Sequence, residues 1–129
     1  MFKDAKVFSS FSVDDVAKAK TFYANTLGLT VTDSMGGLNL NMQGEDRVFI
    51  YPKDSHAPAT YTVLNFLVPD IDRAVDDLTK LGIQFETYDT DMIKTDEKGI
   101  ARSTDPSQGP SIAWFKDPAG NFLSVIEQK

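Results

Sequence analysis

With 129 residues, 41% of them hydrophobic and 25% charged, the chain has the make-up of one ordinary globular domain, or of two half-size modules sharing a core. The absence of cysteine excludes disulfides, thiolate metal sites and cysteine nucleophiles. A net charge of −6 with scattered lysines argues against a nucleic-acid surface, and no apolar run approaches the length of a membrane span. The N-terminus carries no signal-peptide pattern, so a cytoplasmic protein is expected.

In chain order, residues 5–13 carry Val7, Phe8, Phe11 and Val13 between serines and read as a buried strand. Asp14 and Asp15 cap a helix, because a short acceptor side chain meets the free N–H groups of the first turn. Val16, Ala19, Phe22, Tyr23 and Leu27 form its apolar face, and Gly28 stops it. A strand is expected at 29–32, a turn at Met35-Gly36-Gly37, and an alternating strand at 38–42. After the turn at Gly44-Glu45-Asp46, residues 47–51 form another strand, ended by Pro52. Residues 53–59, KDSHAPA, have linker composition, which gives module one as 1–54, the linker as 55–59 and module two as 60–129.

The second module opens with a strand at 60–68 and a helix starting at Pro69-Asp70. The helix face is Ile71, Ala74, Val75, Leu78 and Leu81, and Gly82 ends it. Residues 83–88 read as a strand. Residues 89–110 are breaker-rich with little periodicity, a length that marks a functional or a disordered loop, with a short strand predicted near 100–102. A strand at 111–115, a tight turn at Asp117-Pro118-Ala119-Gly120-Asn121 and a closing strand at 122–127 finish the chain.

The two halves echo each other. At a spacing of 55, Phe11 meets Phe66, Val13 meets Val68, Asp15 meets Asp70 and Ala19 meets Ala74. At a spacing of 54, Leu27 meets Leu81 and Gly28 meets Gly82, so the first helix holds one more residue. Each module is therefore β-α-β-β-β, with mostly antiparallel neighbours expected from the short hairpins.

The paired modules, the V-x-D-x-x-x-A-x-x-F-Y pattern from Val13 to Tyr23, the Leu27-Gly28-Leu29 triplet and the ending I-A-W-F-K-D-P-A-G-N from Ile112 to Asn121 resemble the vicinal oxygen chelate superfamily. That superfamily includes glyoxalase I, bleomycin-resistance proteins, fosfomycin-resistance enzymes and extradiol dioxygenases. The resemblance implies an α+β fold in which the two modules form a single domain, with a half-barrel-like sheet around a central cavity, and a homodimer. It also implies that metal-dependent relatives place His, Gln or Glu ligands at positions matching Phe8, Val63, Ser124 and a residue near Ile50. None of these is a usual ligand. The only histidine, His56, lies in the linker, and Glu127 lies off the ligand position.

The expected function is therefore metal-independent and cofactor-free binding of an aromatic or amphipathic small molecule, in the manner of bleomycin-resistance proteins. Two alternatives stand beside it: a metal-dependent lyase, isomerase or dioxygenase, and a partner-binding dimer with a filled cavity. Strand alternation groups Ser10 with Phe8 and Asn65 with Val63, and Ser124 approaches from the closing strand. Phe8 and Val63 are read either as core or as pocket wall, and Trp114 as core, as dimer interface or, with Phe8, as a stacking platform, with the polar groups orienting the ligand. Tyr88, Ile100 and Arg102, with Met92 and Ile93, form a possible lid, in which Arg102 meets an anionic group. A serine–histidine–acid triad is not expected, since no histidine lies in a structured element.

Overall fold

The computed structural model describes residues 1–129, which divide into two compact units, Met1–Pro58 and Ala59–Lys129. The first holds β1 (Ser9–Val13), a helix, β2 (Thr30–Ser34), β3 (Gly37–Met42) and β4 (Glu45–Pro52). The second holds β5 (Thr62–Val68), a helix, β6 (Ile100–Ala101), β7 (Ile112–Lys116) and β8 (Phe122–Glu127). Each unit is one open four-stranded sheet, ordered β1-β4-β3-β2 and β5-β8-β7-β6. The hairpin neighbours are antiparallel, as the short turns require, but β1–β4 and β5–β8 run parallel, so both sheets are mixed.

The helix of the first unit starts as α1 (Val16–Lys20), capped by Asp15, whose carboxylate accepts the Lys18 N–H at 3.1 Å. It continues as a π turn over Thr21–Thr26, in which the Leu27 N–H reaches five residues back to the Phe22 carbonyl at 2.9 Å. The extra residue that breaks the repeat spacing is absorbed here. Phe22 and Tyr23, both buried, meet edge-on with ring centres 5.1 Å apart, and Phe11 lies 6.3 Å from Tyr23. The second helix, α2 (Ile71–Lys80), is α throughout and is capped by Asp70 on the Arg73 N–H. Glu127 at the end of β8 also accepts the Ile71 N–H, which fixes the helix start to the sheet.

Each helix covers one sheet face. Phe11, Val13, Leu38, Leu40, Val48 and Ile50 form the buried side of the first, and Ala113, Phe115, Leu123 and Val125 that of the second. The opposite, open face of each sheet carries the residues of functional interest.

The strand expected at 83–88 does not form as a continuous edge. The Glu86 N–H donates to the Trp114 carbonyl at 2.8 Å, after which the chain leaves the sheet and returns as β6, where Ile100 pairs with Ala113. The edge of β7 is therefore shared by two short pieces. Gly99 makes the return possible: it has φ +87°, and a Cβ there would lie 2.8 Å from the Phe85 Cβ.

Candidate functional site

In the second unit, the register places Asn65 opposite Ser124, and Ser124 opposite Trp114. Directly opposed residues share a face, so three sequence-predicted site residues form one row across β5, β8 and β7. Ser124 is fully buried, and its hydroxyl donates to the side-chain carbonyl of Asn65. Trp114 is half-buried and meets Tyr88 edge-on, with ring centres 5.6 Å apart at 88°. Burial and the nearby Glu86 carboxylate push the Tyr88 phenol above its ordinary value. Below the row, Lys116 lies 5.0 Å from the centre of the Phe122 ring and 3.2 Å from the Glu86 carboxylate. Val63 is displaced from the regular ladder: the pairing steps from Thr62 with Phe122 to Leu64 with Leu123, leaving Val63 as the extra residue of a β-bulge.

The first unit has the matching row. Ser10 lies opposite Phe49, Phe49 opposite Asn39, and Asn39 opposite Thr32. Phe49 stacks with Tyr51 at 6.3 Å and 19°. Phe8, 67% exposed, lies just before β1 and forms, with Met35, Asn39 and Phe49, part of the wall of a cleft of about 360 Å³. Because Phe11 corresponds to Phe66, Ser10 corresponds to Asn65, and across the ladder Phe49 corresponds to Ser124 and Asn39 to Trp114. The first-module position expected near Ile50 therefore falls on Phe49. Ile50 itself is fully buried among Phe11 and Leu38 on the helix-covered face. Phe49 and Asn39 were not singled out from the sequence. The signal was there: Phe49 sits between Val48 and Ile50, and two buried neighbours put the residue between them on the other face.

These rows do not fit a catalytic divalent metal. Their polar groups are hydroxyls and carboxamides, Phe8, Phe49 and Val63 offer no donor, and no group of three His, Asp or Glu side chains in the chain is arranged to hold a metal ion. His56 is not left in a free linker. The Lys53 N–H bonds the Val13 carbonyl, the His56 N–H bonds the Lys53 carbonyl, and the His56 Nδ1 lies 2.7 Å from the Ser12 hydroxyl. The histidine is thereby fastened to the end of β1.

The predicted lid residues separate. Ile100 does not belong to a cover: it is fully buried in β6, because the edge of β7 needs a strand partner. Arg102 is paired with Asp72 and Asp96, which take three of its five guanidinium N–H groups. Hydrogen bonds from Arg102 and Lys98 hold the Asp72 carboxyl well below the usual carboxylate range. Met92 stays 91% exposed. Together with Ile93, Lys94, Ile112 and Trp114 it borders a second cleft, of about 390 Å³, at the outer edge of the sheet. Clefts of this size are at the lower end of the range for small-molecule sites.

The family model of the Glyoxalase/Bleomycin resistance protein/Dioxygenase superfamily matches residues 8–125. No curated protein matches the chain. Among solved structures, a member of the same superfamily from Sphaerobacter thermophilus is 27% identical, with a TM-score of 0.69 over 96% of this chain and 98% of its own. An antibiotic-binding protein from a Streptomyces species shares the fold at 21% identity, with a TM-score of 0.66 and 98% of each chain covered. A genomically encoded fosfomycin resistance protein from Listeria monocytogenes does so at 15% identity, with a TM-score of 0.66 over 98% of this chain and 94% of its own. With the repeat, the two mixed sheets and nearly the full length matched, the chain belongs to the glyoxalase/bleomycin resistance protein/dioxygenase superfamily.

Proposed function

We propose that the chain is a metal-independent binding protein for an aromatic or amphipathic small molecule, acting as a cytoplasmic homodimer. The observation that carries this reading is the row Trp114–Ser124–Asn65: a half-buried indole beside a buried hydroxyl bonded to an amide, with no metal donors among them. An indole offers a flat ligand a large stacking area, and a hydroxyl–amide pair can orient its polar substituents. Phe8, Ser10, Asn39 and Phe49 supply the same kinds of groups on the open face of the first unit. Val63, at the edge of the second row, belongs to the same set. The antibiotic-binding protein that shares this fold supports binding as a task the architecture can serve.

The rival reading is a metal-dependent lyase, isomerase or dioxygenase, and one experiment separates the two. Titration with planar aromatic compounds, followed by Trp114 fluorescence, is expected to quench saturably, while Mn²⁺, Ni²⁺, Zn²⁺ and Fe²⁺ leave the melting temperature unchanged. A saturable rise in melting temperature with one of these ions, together with stoichiometric metal in elemental analysis, overturns the metal-independent reading. Sedimentation at twice the chain mass tests the dimer.

A further inference from the structure

Arg102 lies immediately after β6 and is committed to two carboxylates. Its Nη1 and Nη2 donate to the two oxygens of Asp72 on α2, each at 2.7 Å, and its Nε donates to Asp96 at 2.9 Å. This forked geometry is the most directional ion pair a protein forms. Asp96 in turn accepts the N–H groups of Lys98 at 2.9 Å and Ile100 at 3.0 Å, closing the turn that brings the chain back to the sheet. The residue before it, Thr95, grips Tyr88 through both its hydroxyl and its backbone N–H. Its hydroxyl oxygen accepts the Tyr88 N–H at 2.8 Å, and its own N–H donates to the Tyr88 carbonyl at 2.9 Å. Tyr88 then meets the edge or face of Trp114 at 5.6 Å. The line α2–Arg102–Asp96–Thr95–Tyr88–Trp114 is continuous, and every link is a hydrogen bond, a peptide neighbour or a ring contact.

We infer that Arg102 is a positioning residue for the open face of the second module: it anchors residues 95–102 to α2 and, through Thr95, holds the Tyr88 ring against Trp114. It thereby sets how much of the indole an incoming ligand can reach. The inference rests on the reading that Trp114 faces the ligand, though the positioning itself is measurable without one. Lys98 reinforces the anchor, with its ammonium 3.2 Å from Asp72 and 2.9 Å from Asp76. Exposed ion pairs are individually weak, so the anchor biases the excursion rather than locking it. A coupling of this kind travels through a contiguous set of contacts and is shown only by perturbing one end and reading the other.

Trp114 is the only tryptophan, so its fluorescence reports the far end of the line. Acrylamide quenching is to be measured at room temperature on wild type, Arg102→Gln, Arg102→Lys and Thr95→Val, with the urea midpoint of each. Arg102→Gln is expected to raise the quenching constant about two- to fivefold, the range an exposed but forked pair can shift a two-state population. Arg102→Lys restores part of the protection. Thr95→Val, which leaves the Arg102 pairs in place but cuts the hydroxyl link, behaves like Arg102→Gln. Unchanged quenching in folded Arg102→Gln, with or without a fall in urea midpoint, overturns the inference. Should that variant fail to fold, unchanged quenching in Thr95→Val overturns it equally. A second titration uses 4-nitrobenzyl alcohol, a neutral aromatic quencher. No saturation in wild type sinks the binding reading. Saturation with the same midpoint in wild type and Arg102→Gln sinks the positioning role alone.

Discussion

The two modules are copies of one unit that placed their irregularities in different elements. The first keeps a continuous edge strand, β2, and puts one extra residue into its helix as a π turn. The second keeps a regular helix and interrupts its edge strand with an excursion between Glu86 and Ile100. Both leave the helix-covered face of the sheet buried. The open faces then differ in where the large side chain sits. In the first row the aromatic is on β4 (Phe49) with a small polar residue on β3 (Asn39). In the second the aromatic is on β7 (Trp114), with the small residue on β8 (Ser124).

The modules also differ sterically at Gly37, which corresponds to Ile112. A Cβ on Gly37 would collide with the Ile50 carbonyl and lie 3.0 Å from the Phe49 ring. The second module tolerates isoleucine there, opposite Ile126 and next to the row where Ser124 replaces Phe49. Gly37→Ala should therefore be the most damaging change considered, at about 3 kcal/mol or more, as for overpacking against fixed backbone. Urea denaturation gives the number. A loss below about 1 kcal/mol would mean that β3 and β4 part easily, and that the contrast between the modules is not one of fit.

The π turn can be tested by removing what caused it. Deleting Asn25, an exposed residue within the turn, restores the spacing of the second module. The expected product folds, with an α-helical C-terminal half and a stability change of about 2 kcal/mol at most, since one helix register replaces another. Circular dichroism and urea melts decide. A chain that no longer folds would show that the turn is needed to seat Tyr23, which is fully buried against Phe11 and Phe22.

Acid should weaken the second module through its paired carboxylates. Asp72 is held low by Arg102 and Lys98. At Asp96 burial pushes upward, but the Ile100 N–H, Arg102 and the Lys98 N–H together bring it below the ordinary value. A carboxyl whose folded value is depressed stabilises the fold above its unfolded value of 3.8 and loses that contribution as pH falls through the folded value. Stability should thus be flat in this respect down to about pH 5 and fall below it. Asp72→Asn should flatten that acid limb, with a small effect because both carboxylates are solvent-screened. Melting temperatures between about pH 2 and 6 test it; an unchanged acid limb in Asp72→Asn would remove the anchor from the account.

Much of this architecture is legible in the chain. The caps at Asp15 and Asp70, the glycine stops and the alternation of β3 are local signals, and the structure uses each of them. The change of spacing from 55 to 54 already contained the π turn, although a sequence shows an extra residue and not the hydrogen bond that absorbs it. The edge at 83–88 reads as a strand although its apolar residues pack without pairing along their length: Phe85 meets Phe115 at 5.5 Å while only Glu86 bonds the strand. Alternation alone places Phe49 on the face opposite Val48 and Ile50, but which residues share its row depends on register across β1, β4 and β3, which no local pattern carries. The Arg102 pairing is not legible locally, because Asp72 is 30 residues away in sequence and meets it only in the folded chain.

The smallest effect lies in the first module's two tight turns, each of which opens on a left-handed residue other than glycine, as the Asp117–Asn121 turn of the second module does not. Met35-Gly36 joins β2 to β3 with φ of 50° and 80°, and Gln43-Gly44 joins β3 to β4 with φ of 56° and 79°. Two left-handed residues in succession make the hairpin turn whose twist suits its strands, and asparagine is the side chain that best tolerates the first position. Met35→Asn and Gln43→Asn should each add about 0.5 kcal/mol by relieving the same backbone strain. Their consequences for binding should differ. Met35 borders the cleft with Phe8 and Phe49, whereas Gln43 does not. If the first module's open face takes part in holding an aromatic ligand, Met35→Asn weakens binding while Gln43→Asn leaves it unchanged at equal stability. Equal affinities in the two variants would assign ligand recognition to the Trp114 row alone.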